Sequence, residues 1–354
     1  MNLKELARLL DLSQTTVSRA LNGYPEVNEA TRQRVLAAVK ATGYRPNRAA
    51  QRLATGKAGS IGLVMPTGTG DGTDLHFAEF LSGLGEVAEL RDVQLVIDPS
   101  RVGNEAAAFQ RLAASGTVDA LSLSYVRASD RRIEMLKTLK LPFLVHGRHI
   151  GSKPDYPFMD IDNKGAFCDA ARLLLQLGHR RIALLNGLAE LSFAVRRREG
   201  MAEALAGHGI TLEERLCQHS AMTEENGYRG MVRFLDMQEA PTAVLCSSIV
   251  LALGATRAIN QRGLKIGRDI SIIAHDDVFP YLKPENFSTP LTTTTSSIRA
   301  AGARIAERLI EEVAGHKAMP QQEIWKADLI VRASTGPAPS RRRKGTRRHI
   351  EAAE

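Results

Sequence analysis

Leu3, Leu6, Ala7 and Leu10 recur at i, i+3, i+4 and i+7, the spacing of one buried helical face. Ser13 is a good N-cap for a second short helix that stops before Gly23. Asn28 caps a third, whose Val35, Leu36 and Val39 form an apolar stripe ending at Gly43. Three short helices with tight turns predict a compact all-α unit over residues 1–45. Pro46 then breaks the chain. Asn47 can cap "RAAQRLAT", a short helix ending at Gly56, so 46–58 is expected to be a linker with its own structure.

From residue 59 the period changes. "SIGLVM" is an apolar β-rich run, followed by the helical "LHFAEFLSGLGEVAEL" and the strand "VQLVID". "ALSLSY", "PFLVHG", "RIALLN", "TAVLCSS" and "ISIIAHDD" continue the alternation. Apolar strands between amphipathic helices predict parallel sheets in an α/β body. Two sets of strands over 59–336 imply two lobes. The tail 337–354, "PAPSRRRKGTRRHIEAAE", is Pro-rich, then basic and aperiodic, the composition of a disordered end.

On the second helix, Val17, Ala20 and Leu21 turn inward, leaving Gln14, Thr15, Ser18, Arg19 and Asn22 on the outer face. Such a face is either simply solvated or reads DNA. Arg suits the guanine edge, Gln suits adenine, and the Thr methyl meets the thymine methyl. Ser13 and Thr16 beside it can hold phosphates. Charge tips the balance. The chain of 354 residues carries +8, and residues 1–57 alone hold ten Lys/Arg against four Asp/Glu. Residues 341–354 hold six Lys/Arg against two Glu, leaving the body between near neutral. Basic ends call for a polyanion; the neutral body has another task.

Other chemistries find little footing. No apolar run approaches a membrane span, and the charged N-terminus is not a signal peptide, so a cytoplasmic protein is expected. Cys168, Cys217 and Cys246 are few and far apart, as buried thiols are, not disulfides or a metal cluster. "GTGDG" at 68–72 departs from G-x-G-x-x-G, so no dinucleotide cofactor is expected. His275-Asp276-Asp277 has no second His/Cys cluster to complete a metal site. No nucleophile elbow marks a catalytic residue, and no enzyme is expected.

The stretches "TTVSRALNG", "VNEATRQRV", "TGYRPNRAAQRLATGK" and "IGLV", in this order, resemble the N-terminal signature of the lactose-repressor (LacI/GalR) family. "FMDIDN", "LGHRRIALL", "RREGM", "ALGATRAI", "GRDISIIAHDD" and "PLTT" carry the resemblance to about residue 336. "RPNRAAQRLATGKAGSIGLVMPT" and "VHGR…DYPFMDIDNKGAF" are similar to repressors of alpha-glucoside transport and utilisation operons. The resemblance implies a helix-turn-helix head at 1–45, a hinge helix within 46–58, and a two-lobed periplasmic-binding-protein-like body. Lobe 1 is expected at 61–161 and 293–320, and lobe 2 at 162–289 and 321–333.

It also implies roles. Gln14 and Thr15 occupy operator-selecting positions, with Arg19 a turn further on. Tyr44 and Asn47 join the expected DNA contacts. Leu53 stands where the family wedges a leucine into the minor groove, with Ala50 packing opposite, and such a wedge bends DNA. In the cleft, Arg197 and Asp276 match a ligand-binding arginine and aspartate, suited to paired sugar hydroxyls. Asp74, Phe77, His146, Arg148, Phe158, Asp160 and Ser296 are expected along the lining. Met222 falls where some members carry an aromatic platform. Ser248 and Ile249 replace the Asn-Asp common in the family, so polar contacts there differ.

Two function classes remain open on sequence. One is a homodimeric repressor of a near-palindromic operator, gated by a small sugar, with no membrane partner. The other is a sugar-binding protein or enzyme on the same α/β body, which gains nothing from a basic three-helix head.

Overall fold

The computed structural model describes residues 1–44, 56–67, 74–316 and 321–339. The expected hinge helix with Asn47, Ala50 and Leu53, the "GTGDG" loop and the basic tail beyond residue 339 lie outside the described residues.

The N-terminal unit is α1 (Leu3–Leu9), α2 (Gln14–Leu21) and α3 (Glu29–Thr42). Each begins on a side-chain cap. Asn2 Oδ1 accepts from Glu5 N at 3.0 Å while Glu5 accepts from Asn2 N at 2.9 Å, so two orphan donors are satisfied reciprocally. Ser13 Oγ accepts from Thr16 N at 3.0 Å, and Asn28 Oδ1 from Thr31 N at 2.8 Å. Gly43, at φ +64°, ends α3 in the left-handed conformation that an L side chain resists. Leu6, Ala7, Val17, Ala20, Val27, Val35 and Tyr44 make the core of this unit.

The first lobe is built from β1 (Ser60–Thr67), α4 (Leu75–Leu90), β2 (Gln94–Arg101), α5 (Glu105–Ser115), β3 (Ala120–Leu123), α6 (Arg131–Thr138), β4 (Phe143–His146) and β5 (Phe158–Ile161). The second is α7 (Asn163–Gln176), β6 (Ile182–Asn186), α8 (Ser192–Ala206), β7 (Cys217–His219), α9 (Glu224–Leu235), β8 (Ala243–Cys246), α10 (Ile249–Gln261), β9 (Ser271–Asp276) and β10 (Thr292–Thr295). The chain closes with α11 (Ile298–Val313), β11 (Gln322–Trp325) and β12 (Asp328–Ile330).

Two six-stranded sheets result, in the orders β11-β5-β4-β3-β1-β2 and β12-β10-β9-β8-β6-β7. The first is wholly parallel; in the second, β12 runs antiparallel to β10 with Leu329 opposite Thr294. Each sheet is covered on both faces. Ile61, Leu63, Phe80, Leu84 and Ile305 pack on one side of the first sheet, and Val64, Phe109, Leu121 and Leu123 on the other. Burial on both faces explains why these strands read as continuous apolar runs rather than alternating ones.

The chain passes between the lobes three times, and strand pairing corrects two of the expected boundaries. Thr292–Thr295 pairs with β9, so β10 belongs to the second lobe and the crossing follows it. Gln322–Trp325 pairs with β5, so β11 belongs to the first lobe and the last crossing lies between β11 and β12. Pairing partners distant in sequence decide this, and no local pattern reports them. Helix α11 returns to the first lobe and packs against α4 at close range. A Cβ added at Gly302 would meet Phe80 O, and one at Gly83 would meet Arg299 O. Arg308, fully buried on α11, donates to Phe158 O at 2.9 Å and to Gln321 O at 2.8 Å, tying the helix to β5 and β11.

Candidate functional site

On the head, Gln14, Thr15 and Arg19 are exposed along one face of α2, while Val17 and Ala20 are buried beneath them. Among the described residues the Arg19 guanidinium has no side-chain partner, so it is available to a ligand outside the head. Ser18 and Asn22 are half-buried, and Asn22 Nδ2 donates to Ser18 O at 2.9 Å. Ser13 and Thr16 are engaged with each other, Oγ to Oγ1 at 2.8 Å, at the start of α2. Tyr44 is placed differently from expectation. Its ring is 7% exposed and packs with Val17 and Val35, because a large apolar ring closes the small core of the head. Burial also pushes its hydroxyl pKa up.

Between the lobes lies a cavity at the carboxyl ends of the parallel strands, where open α/β sheets place their ligands. The loop after β3 supplies Ser124, Tyr125 and Val126, the end of β4 and the residue after it supply His146 and Gly147, β5 supplies Asp160, and α4 supplies His76, Phe77 and Phe80. From the second lobe come Asn163, Phe193, Arg197, Met222, His275, Asp277 and Ser296. Phe77, His146, Asp160, Arg197, Met222 and Ser296 were expected at such a cleft. His76, Tyr125, Asn163, Phe193 and Asp277 were not.

Arg197 is the organising cation. Its Nε donates to Asn163 Oδ1 at 2.7 Å and its Nη1 to Ser247 O. Its guanidinium lies over the rings of Phe193, 4.9 Å away, and Phe167, 5.2 Å away. Burial lowers its pKa to about 10, with Asp277 and Asp160 opposing, so it stays charged at neutral pH. Phe193 precedes Arg197 by four residues on α8, a helical spacing that could have signalled the stacked pair from sequence.

The two adjacent aspartates divide their work. Asp276, the expected ligand contact, turns away from the cavity and accepts from Val278 N at 2.9 Å, fixing the turn after β9. Val278 sits there at φ +61°, a conformation rare for a β-branched residue, which this bond supports. Asp277 faces the cavity instead. One of its buried oxygens, Oδ2, lacks a hydrogen-bond partner among the described residues, although His76 Nε2 lies 3.2 Å away as an ion-pair partner. Burial disfavours the Asp277 carboxylate, but the charges of His76 and Arg197 bring its pKa down.

Four more expected residues stand behind the lining. Arg148 Nε donates to Asp160 Oδ2 at 2.7 Å, so it holds Asp160 rather than facing the cavity. Burial still raises the Asp160 pKa. Phe158, 3% exposed, belongs to the first-lobe core with Tyr156 and Val145, because its position on β5 points under the sheet. Asp74 caps α4, accepting from His76 N at 2.9 Å and from the Tyr125 hydroxyl. Ser248 is fully buried, caps α10 through Val250 N at 3.1 Å, and lies 3.0 Å from His76 Nε2.

The lobes also meet through the backbone. Ser192 N donates to Val126 O and Ala128 N to Glu190 O, both at 2.8 Å, an antiparallel bridge across the cleft. Among the described residues, no cluster of His, Cys, Asp or Glu could hold a metal ion, and no helix is long and apolar enough to cross a membrane.

Residues 2–47 match the description "Bacterial regulatory proteins, lacI family", and 171–335 match "Periplasmic binding protein-like domain". The HTH-type transcriptional regulator AglR of Rhizobium meliloti (strain 1021) is 67% identical over 341 residues, 96% of each chain. The chain belongs to the LacI family of bacterial regulatory proteins. As a LacI-type protein it is a DNA-binding transcriptional regulator, with a helix-turn-helix head ahead of a two-lobed α/β body. Solved structures of the family agree in fold. One, a transcriptional regulator CelR–cellobiose complex, is 27% identical with a TM-score of 0.68, covering 94% of this chain and 99% of that one. Another, the lac repressor dimer bound to operator and the anti-inducer ONPF, is 25% identical with a TM-score of 0.79, covering 95% and 99%.

Proposed function

We propose that this LacI-family regulator is a homodimeric repressor of a sugar uptake or catabolism operon, with operator affinity controlled by a small alpha-glucoside in the cleft between its lobes. The observation that carries the sugar reading is Arg197. A guanidinium fixed by Asn163 and Ser247 between two aromatic rings, with Asp277 and Asp160 on the same cavity, supplies donors and acceptors for vicinal hydroxyls. The cellobiose in CelR and the operator in the lac repressor dimer support the same division of labour here.

The head would place α2 in the major groove, with Gln14, Thr15 and Arg19 toward base edges and Ser13, Thr16, Ser18 and Asn22 nearer the backbone. Two heads related by a two-fold axis would require a near-palindromic operator. Paired hinge segments with Leu53 at the minor groove would kink its centre. Sugar binding would shift the lobes and lower operator affinity by a coupling of roughly 1–3 kcal/mol. No cofactor, metal or membrane enters this scheme, and a cytoplasmic location goes with it.

The test is a gel shift of the purified protein on promoter DNA flanking its own gene, with and without maltose, sucrose or trehalose. Specific binding released by one of them supports the proposal. Specific binding unmoved by all three discards the alpha-glucoside, and no specific binding discards the repressor.

A further inference from the structure

The two basic ends of the chain meet the body at opposite poles. In both lobes the carboxyl ends of the parallel strands face the cleft, so their amino ends point away from each other. The head joins at the amino end of β1. There the Asp119 carboxylate accepts from Ala58 N at 2.7 Å and from Gly59 N at 2.6 Å, fastening the foot of the linker to the first lobe.

The C-terminal segment is fastened at the other pole. Gly336 N donates to Ser271 Oγ at 3.1 Å, and Gly336 O accepts from His179 Nε2 at 3.0 Å. His179 Nδ1 lies 2.9 Å from Thr242 Oγ1, and Ala338 N donates to Leu177 O at 2.8 Å. His179 and Thr242 precede β6 and β8, and Ser271 opens β9, so the segment crosses the amino ends of three strands of the second sheet.

Cations gather where it leaves. Gly178 lies against Ala338, and Gly267 against Gly336. Beside these contacts Arg180, Lys265 and Arg268 are exposed, and the acid of that turn, Asp269, is paired with Arg268 at 2.6 Å. Six of the eight residues 341–348 are Lys or Arg, and none is acidic or aromatic. Single strands are held by aromatic side chains that stack on the bases, whereas a cationic run without them suits the phosphate backbone of a duplex. A duplex held by the heads lies at the pole of β1, away from this surface.

We infer that the second-lobe pole, with Arg180, Lys265 and residues 341–348, is a sequence-independent binding surface for a second segment of duplex DNA, so that the regulator bridges two stretches of DNA. This goes beyond the sugar reading and does not depend on it. The head holds one duplex, and its tether raises the local concentration of neighbouring DNA at the far pole.

The experiment is a bridging assay with the full-length protein. Promoter DNA flanking its own gene is fixed to beads and loaded with protein, and capture of a labelled, unrelated duplex from solution is measured against salt. Two variants are compared with wild type. One combines Arg341→Gln, Arg342→Gln, Arg343→Gln, Lys344→Gln, Arg347→Gln and Arg348→Gln; the other combines Arg180→Gln and Lys265→Gln. Wild type should capture the second duplex, with a steep loss as salt rises. Capture should fall roughly tenfold or more in the first variant and about threefold in the second, while both keep wild-type melting and promoter binding. Wild-type capture by either variant overturns the surface as stated. So does a wild type that captures no second duplex, or one that captures single-stranded RNA instead. Loss of promoter binding in the first variant, with melting unchanged, also overturns it, since those cations would then serve the duplex held by the heads. If the promoter fragment is not bound specifically, an unrelated duplex on the beads at lower salt gives the same comparison, so failure of the repressor reading and failure of the bridge are told apart.

Discussion

His76, at the start of α4 in the first lobe, lies 3.2 Å from Asp277, just beyond β9 in the second, so a buried ion pair spans the cleft. Ser248 at 3.0 Å and the edge of Phe279, 5.1 Å between ring centroids, close around the same imidazole from the second lobe. On its own helix Asp74 flanks the other ring nitrogen at 3.4 Å. Burial alone would lower the His76 pKa, but Asp277 and Asp74 outweigh it and lift it to about 9. Burial also opposes ionisation of Asp74, yet its bond to His76, the His76 charge and the Tyr125 hydroxyl bring the carboxyl to about 2.

Stability should therefore depend on pH in a defined way. His76 has a folded pKa above its unfolded value of 6.5, so its contribution is complete below pH 6.5 and lost as pH rises through about 9. His146 and His275 have the opposite sign: burial depresses them to about 4 and about 3, aided at His275 by Arg197. They oppose folding as pH falls below 6.5, where the unfolded chain takes up protons that the native one refuses. Melting temperature plotted against pH should peak near 6.5, and His76→Gln should flatten the alkaline limb. A variant that keeps a wild-type alkaline limb would remove His76 from this role.

His76→Gln should also cost about 3 kcal/mol at neutral pH, because it leaves Asp277 buried opposite an uncharged partner. Equilibrium unfolding in urea checks this, and a loss under about 1 kcal/mol would show that Arg197 compensates the carboxylate without help.

Arg197→Lys keeps the charge and loses the fork. A lysine cannot bond Asn163 Oδ1 and Ser247 O together in the plane between Phe193 and Phe167. Operator binding in the absence of sugar should be retained while release by sugar is lost. A lysine variant released as readily as wild type would show that the charge alone suffices.

In the head, Arg19→Ala should narrow the gap between operator and unrelated DNA, as loss of a base contact does. Uniform weakening across sequences, with a salt dependence shallower by about one counterion, would make Arg19 a phosphate contact instead. Ser13→Ala removes the cap on Thr16 N and should destabilise the head by about 1 kcal/mol, seen as earlier melting of its helices by circular dichroism.

Packing of α4 on α11 gives a further test. Gly302→Val would drive a side chain into Phe80 O, so the helices must separate, at a cost of about 2–3 kcal/mol or more. Unchanged thermal unfolding would mean that the interface has slack where the backbones meet.

What the sequence determined by itself was local. The three head helices, their caps at Ser13 and Asn28, and α4 over 75–90 follow from spacing and capping chemistry written within a few residues. The outward face of α2 follows from Val17 and Ala20 taking the inward one. The cleft was decided elsewhere. Whether Asp276 or Asp277 faces the cavity depends on a turn that one of them must hold, and their letters are the same. Tyr125, at φ +54°, bonds Asp74 and Arg132, and the Asp277 and Ser248 partners of His76 come from the other lobe. The lobe crossings shifted because β10 and β11 choose neighbours far along the chain. Helix signals are short-range, whereas a site between two lobes is assembled by contacts that exist only after both have folded.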